Sequence, residues 1–342
     1  MKAQQIVVNK GRPVLRAIEL GELPERFVRV RVRFSGISAG TELAIIRRSA
    51  LEPESTLALG YQAVGEVIAA GAGVQQIAQG TVVACYGAPY VCHASFLDVP
   101  ERLCAPVQTP EPIPEQSFCG LGTIALHAVR LGAPQLGDIV AVVGMGFLGN
   151  LVAQLATCAG GRVIAVESHA DRRAMAQSTG LVVQGTWEDL AREIESCSEG
   201  HGADVAFMVA HACGNDLLEK CVRLLRLRGQ LVIVGAADAV LPRDALFEKE
   251  ASLLVSRAGG PGRYDPQYEE GKVDYPYGYV RWTEGRNLRE FVRLMSEGRV
   301  TVEPLVTTVV SAAQCDEIYS TLANQPGKYV GVAFDWSEVQ EQ

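Results

Sequence analysis

Gly144-Met145-Gly146-Phe147-Leu148-Gly149 is a stretch whose residue types and spacing specify a chemistry. It follows the apolar run Ile139–Val143, which reads as a buried strand, and it opens the apolar helix pattern Leu148–Ala159. In that setting each glycine has a task. Gly144 permits the tight turn out of the strand, Gly146 lets a pyrophosphate approach the backbone, and Gly149 lets helix and strand pack closely. The N–H groups of Phe147, Leu148 and Gly149 begin the helix, where they lack intrahelical partners and attract phosphate. The next strand, Arg162–Val166, runs out at Glu167, eighteen residues after Gly149, where a carboxylate can accept hydrogen bonds from the adenosine ribose. A dinucleotide site is expected. A carboxylate there repels a 2′-phosphate and favours NAD, while the nearby Arg172 and Arg173 keep NADP open.

The elements around this motif must hold it on a parallel sheet. After Ile139–Val143 and its helix come Arg162–Val166, the polar helix Asp171–Ser178, the strand Val205–Val209, a helix near Asn215–Leu227 and the strand Gln230–Val234. Strands alternating with helices predict an α/β doubly wound domain covered on both faces. Before about residue 118 the chain reads as β-rich, with short runs at Gln5–Val8, Val28–Phe34, Val64–Ala69, Thr81–Cys85 and Phe96–Val99. These suggest a barrel-like or sandwich domain, and Pro106–Pro114 marks a linker. Beyond the sheet lies Gly259–Asn287, rich in Tyr, Arg, Asp and Glu with no period of 2 or 3.6. Loops this long inside a compact domain tend to be functional. A helix Leu288–Glu297, a strand Thr307–Val310, a helix Ala312–Leu322 and a strand Tyr329–Phe334 close the pattern.

Composition narrows the partners. The 342 residues suit two domains, and 31 Lys+Arg against 39 Asp+Glu leave a net charge of −8. That balance argues against nucleic acid and anionic membranes, which call for a basic face. The uncharged stretch Ile139–Gly161 is broken by its Gly turn and reads as strand, turn and buried helix, not a membrane span. With no apolar leader pattern after Met1, a soluble cytoplasmic protein is expected. Nine scattered cysteines without a C-x-x-C read as reduced, buried thiols.

The order of a β-rich domain, a dinucleotide fold and a return segment resembles the medium-chain dehydrogenase/reductase superfamily. Ser35-Gly-Ile-Ser-Ala-Gly-Thr-Glu42, Leu59-Gly-Tyr-Gln-Ala-Val-Gly-Glu66, His93-Ala-Ser-Phe96 and Cys119–Ala128 carry the likeness, which covers essentially the whole chain. It implies a GroES-like catalytic domain over 1–118, a Rossmann domain over 119–258, a return segment over 259–342, and a homodimer or homotetramer acting on a small molecule. Zinc members have a Cys where this chain has Ser38 and a His-Glu pair where it has Tyr61-Gln62. Cys119 holds the third ligand position, but one thiolate and an amide do not make a catalytic zinc site. A zinc-independent member is expected. The loop Gly260–Pro266 with Tyr268-Glu-Glu270 and Asp274–Glu284 is similar to the dehydrogenase half of two-part oxidoreductases of polysaccharide or secondary-metabolite pathways, of which this chain reads as a stand-alone relative. The Ser35–Glu42 run also resembles the bacteriochlorophyllide dehydrogenases.

Hydride transfer without zinc needs a side chain to stabilise the developing alkoxide. The resemblance puts Tyr61, His93, Thr41 and Glu42 at the catalytic centre, with Glu42 either orienting a partner or pairing with Arg47 or Arg48. Cys119, Arg263, Tyr264, Tyr279, Arg281 and Glu284 are the substrate-side candidates; an aromatic, Arg-rich loop suits a polyhydroxylated or carboxylated ligand. Besides the glycine motif and Glu167, the cofactor candidates are His211, Gly235 and Lys328. His127 reads as a core histidine, and His169 and His201 as surface residues. The expected activity is hydride transfer between nicotinamide and an alcohol or carbonyl of a sugar-like intermediate. Its rivals are an NADPH-dependent quinone or enoyl reductase and a non-catalytic redox sensor.

Overall fold

A computed structural model describes residues 1–51, 56–210, 212–213, 215–235, 237–238 and 240–339. The chain forms two units. One comprises Met1–Thr123, Gly259–Gly298 and the chain from Val306 onward; the other comprises Ile124–Ala258 and Arg299–Leu305. The division falls inside the helix Cys119–Gly132, a few residues later than the expected boundary at 118/119, and Arg299–Leu305 joins the second unit instead of the first. Gln154 accounts for that change, since its side chain bonds both the N–H (2.7 Å) and the carbonyl (3.0 Å) of Thr301.

In the second unit six strands lie parallel in the order Val182–Gln184, Arg162–Val166, Ile139–Val143, Ala203–Met208, Leu225–Ile233 and Ser252–Val255. This is a doubly wound sheet, and its order reverses beside Ile139–Val143, where ligands of such sheets bind. All five residues of that strand are buried, which explains its uninterrupted apolar run. Two expectations need correction. The helix starting at Asn215 ends at Arg223, and Leu225 opens a strand, paired with Ala203. Trp187–Cys197 is a helix the sequence reading passed over; Thr186 caps it by accepting from Asp189 N–H, and Leu190 and Ile194 bury its narrow apolar stripe.

The first unit carries a mainly antiparallel seven-stranded sheet built around Phe27–Gly36, plus a three-stranded sheet of Arg12–Glu19, Lys2–Asn9 and Thr56–Ala58. Along Phe27–Gly36 the residues Val28, Val30, Val32 and Phe34 face inward. The alternating arginines pair across strands, Arg29 with Asp98 at 2.7 Å, Arg31 with Glu66 at 2.6 Å and Arg33 with Asp335 at 3.1 Å. This strand delivers Ser35 and Ser38 to the start of helix Ala39–Leu51, an element absent from the sequence reading. Gly40 and the β-branched Thr41, Ile45 and Ile46 weigh against a helix there. A reciprocal cap outweighs them, with Glu42 Oε1 accepting from Ser38 N–H at 2.7 Å.

Among the described residues the long loop contains the short helix Pro266–Glu269, capped by Asp265, and its last residues already belong to the helix Glu284–Ser296, which starts four residues before the expected Leu288. Its Tyr268 is buried and donates to Thr283 Oγ1 at 2.6 Å. The loop is therefore packed into its unit. No helix among the described residues is long and apolar enough to cross a membrane.

Candidate functional site

In the second unit the glycine motif has the geometry its spacing predicts. Gly144 sits at φ +94°, in the left-handed region that glycine adopts without strain, and a side chain on Gly149 would meet Gly144 O at 1.9 Å. A side chain on Gly146 would meet nothing within 4 Å, so the space over the loop is open to a phosphate-sized group. Helix Phe147–Cys158 follows with no side chain capping its N-terminus, which leaves that end for an anion. Asn150 is a residue the sequence reading missed. Buried one turn into the helix, its amide donates to Met145 O at 2.8 Å and to Gly146 O at 3.1 Å, turning the loop carbonyls inward.

Glu167 ends its strand buried, accepting from Met145 N–H at 3.0 Å through Oε2 and from His169 N–H at 2.9 Å through Oε1. Each carboxylate oxygen keeps a second acceptor site. Arg173 turns back to the carbonyls of Glu167 (2.9 Å) and Ser168 (3.0 Å), which commits it to the strand end. Gly235 donates its N–H to Met208 O at 3.2 Å, and a Cβ there would meet Val209 O at 2.6 Å, so only glycine fits. These groups fit a dinucleotide. His211 lies outside the described residues.

The first unit holds a buried polar chain. Trp336 Nε1–H donates to Ser35 Oγ at 2.8 Å, and Ser35 Oγ lies 2.8 Å from His93 Nδ1. His93 Nε2 lies 2.9 Å from Glu42 Oε2, on which the Tyr319 hydroxyl also converges. Both ring nitrogens of His93 therefore have polar partners, Ser35 on one side and Glu42 on the other.

This arrangement corrects two roles. His93 is buried with both ring nitrogens engaged, so it positions Glu42 and is not an acid/base group touching substrate. Glu42 is likewise buried and goes to His93, Tyr319 and Ser38 N–H, not to Arg47 or Arg48. Tyr319 and Trp336 have no local signal in the sequence, because they return to Glu42 and Ser35 from the far C-terminal segment. Replacing His93 with Leu leaves the Glu42 carboxylate short of one donor in a dry interior, and should cost about 3 kcal/mol. A fall of several degrees in the thermal midpoint would register it; an unchanged midpoint would show that the imidazole contributes nothing to holding Glu42.

Above this chain lies a group of hydroxyls. Tyr61 hydrogen-bonds with Ser38 and Thr41, and Ser38 Oγ lies 3.3 Å from Thr41 Oγ1. Burial pushes the Tyr61 phenol up from its usual 10.0, the bonds from Ser38 and Thr41 pull it partly back, and Glu42 adds to the rise. Thr41 is exposed and leads outward. The neighbouring Gln62 is spent on structure, with Nε2 donating to Gly36 O at 3.2 Å and Oε1 accepting from Leu121 N–H at 2.8 Å. Cys119 is buried and its thiol is pushed up by burial, then by Cys85, which disfavours the thiolate a metal binds. Among the described residues no three His, Cys, Asp or Glu side chains stand together as metal ligands.

The loop divides into a buried and an exposed part. Arg263 is buried, donating to Glu269 Oε1 and Ala88 O at 2.5 Å each, with Glu284 at 3.9 Å and the Tyr264 ring 4.0 Å from its guanidinium carbon. Arg263 is therefore committed to an internal ion group with Glu269, which turns it away from the direct substrate contact expected of it, while Glu284 is buried beside it. Tyr86 lines the same place, 6.0 Å edge-on from Tyr61. Tyr264 (59% exposed), Tyr279 and Arg281 face outward. Lys328 is exposed, its ammonium 5.2 Å from the Tyr329 ring. His127 is half-buried, and its pKa is lowered by desolvation and then by Arg130.

Residues 148–270 match the family model described as zinc-binding dehydrogenase. That match is consistent with the resemblance to the medium-chain dehydrogenase/reductase superfamily. Its fold combines a Rossmann-like parallel sheet with a GroES-like β-rich unit, and the relatives it resembles are described as dehydrogenases and oxidoreductases. Over 313 residues it is 26% identical to a protein of Leishmania amazonensis described as a probable quinone oxidoreductase, covering 87% of this chain and 89% of that one. Over 330 residues it is 26% identical to D-guloside 3-dehydrogenase of Shigella flexneri, with the same shares of 87% and 89%. The fold is shared with a structure from Sinorhizobium meliloti 1021 described as a zinc-binding dehydrogenase bound to NADP, at a TM-score of 0.76 and 19% identity, over 98% of this chain and 99% of that one.

Proposed function

We propose that the chain is a zinc-independent, NAD-preferring dehydrogenase that interconverts an alcohol and a carbonyl on a sugar-like substrate, acting in the cytoplasm as a homodimer or homotetramer. The observation that carries this reading is the hydroxyl group Ser38, Thr41 and Tyr61 standing on a Glu42–His93 pair, with Gln62 tied to backbone where zinc members place metal ligands. Bound NAD supplies the hydride acceptor, held by the glycine loop, the N-terminus of helix Phe147–Cys158 and Glu167. The chain's own residues do the rest. The neutral Tyr61 phenol donates a hydrogen bond to the substrate oxygen and stabilises charge that develops there. Ser38 and Thr41 orient the phenol, and Glu42 holds Ser38 by its N–H. The GroES-like unit carries this chemistry and the Rossmann unit carries the cofactor.

The name of the Leishmania relative favours a second reading, reduction of activated C=C bonds with NADPH. The polar loop and Glu167 oppose it, because such substrates are apolar and NADPH carries a 2′-phosphate. Turnover against sugars, cyclitols, quinones and enones separates the two. Sugar- or cyclitol-dependent NADH formation, undiminished by chelators, supports the dehydrogenase. NADPH oxidation driven only by enones or quinones supports the reductase, and tight cofactor binding without any turnover would leave a sensor.

A further inference from the structure

Beside Tyr61 stands a second phenol, which the group Ser38, Thr41 and Tyr61 leaves without a task. Tyr86 ends the strand Val82–Tyr86 and is 2% exposed. Its ring is wedged between Gly120 and Gly259. A Cβ on Gly120 would meet its Cδ2 at 2.8 Å, and a Cβ on Gly259 would meet its Cε1, on the opposite edge, at 2.8 Å. The Arg263 guanidinium carbon lies 5.9 Å from the ring centre, and the Tyr61 ring stands 6.0 Å away at 80°. A ring packed this closely cannot swing its hydroxyl elsewhere.

Other buried phenols of this unit have partners: Tyr268 donates to Thr283 Oγ1 at 2.6 Å, and Tyr319 bonds Glu42. Among the described residues nothing hydrogen-bonds the Tyr86 hydroxyl, and its oxygen is not sealed from solvent. A phenol this buried ordinarily finds a partner. Burial first, and then Glu284, push it well above its usual 10.0, with Arg263 pulling part of the way back, so it keeps its proton and can donate. Tyr61 and Tyr264 also act on it electrostatically, which sets the hydroxyl in the same cleft. An apolar group laid against such a donor strands it, whereas an oxygen satisfies it, and a polar site discriminates most strongly by that difference. We infer that Tyr86 determines specificity: its hydroxyl donates to a second substrate oxygen beside the one that Tyr61 serves, and substrates with an apolar group at that place are rejected. The inference rests on the dehydrogenase reading and deepens it.

The test measures NAD-dependent kcat/KM for cyclohexanol and for cis- and trans-cyclohexane-1,2-diol, in wild type and Tyr86→Phe. These probes differ only in a second oxygen. Wild type should prefer a diol about tenfold, the size of one hydrogen bond to an otherwise stranded donor, and Tyr86→Phe should erase that preference. The variant keeps the ring, so its thermal midpoint should stay within about 1 °C of wild type; loss of a hydrogen bond internal to the fold would lower it by about 2–4 °C. Such a fall overturns the inference. Equal kcat/KM for cyclohexanol and both diols in wild type, or a preference that Tyr86→Phe leaves intact, also overturns it, while NADH formation from these alcohols keeps the dehydrogenase reading. Should none of the three turn over, calorimetric titration of the enzyme–NAD complex with the diols decides. Binding about tenfold weaker in Tyr86→Phe supports the inference, and equal binding, or none to wild type, overturns it. The dehydrogenase reading itself falls only if no alcohol, sugar or cyclitol yields NADH.

Discussion

Glu167→Ala should raise KM for NAD by about 30- to 100-fold and leave NADP little changed. Each hydrogen bond from ribose to an ionised acceptor is worth about 1.5–3 kcal/mol, and tenfold corresponds to about 1.4. Glu167 has a second task, since it also accepts from Met145 N–H in the glycine loop. Removing the carboxylate therefore frees the loop as well as the ribose. For NADP the loosened loop is offset by the lost repulsion of the 2′-phosphate, so the two cofactors respond unequally. Glu167→Gln separates the tasks: its amide oxygen still serves Met145, while the negative charge is gone. NADP should then bind better than in wild type. Initial rates or calorimetry with both cofactors measure this. Equal losses for NAD and NADP in Glu167→Ala would mean that the residue is a loop tether and does not touch the ribose.

Tyr61→Phe should lower kcat by about 100-fold with cofactor affinity unchanged, the usual contribution of one positioned donor to a developing oxyanion. The pH profile carries a further prediction. Because burial raises the phenol above 10.0, it remains protonated through pH 10 and works as a donor throughout. The kcat profile should then show no falling limb from Tyr61 below pH 10. A limb near pH 7–9 that disappears in Tyr61→Phe would mean that the phenol ionises easily and serves as a base, which contradicts its burial. An unchanged kcat in Tyr61→Phe would remove Tyr61 from the chemistry and point to Thr41 as the donor.

The glycine loop is legible in the sequence because the geometry it requires is local. A strand, a turn and a helix start lie within a dozen residues, and Gly144 and Gly149 are each demanded by backbone geometry that no other residue meets. Asn150 was hidden, since one amide in an apolar helix gives no signal until the loop carbonyls beside it are seen. The helix that begins at Ala39 has no clear signal in the sequence, because Gly40 and the β-branched residues oppose it and the cap between Ser38 and Glu42 supports it only in three dimensions.

By itself the sequence determined the doubly wound sheet, the glycine loop and the carboxylate at the end of the next strand, all of which follow from periodicity and glycine spacing over short range. Only the tertiary structure decided what the polar residues of the other unit do. It buried His93 and Glu42 against Ser35, Tyr319 and Trp336, up to 301 positions apart, and turned Arg263 inward to Glu269 while leaving Tyr279 in water. The reason is that a titratable side chain takes its role from its partners and its access to solvent, and long-range packing sets both.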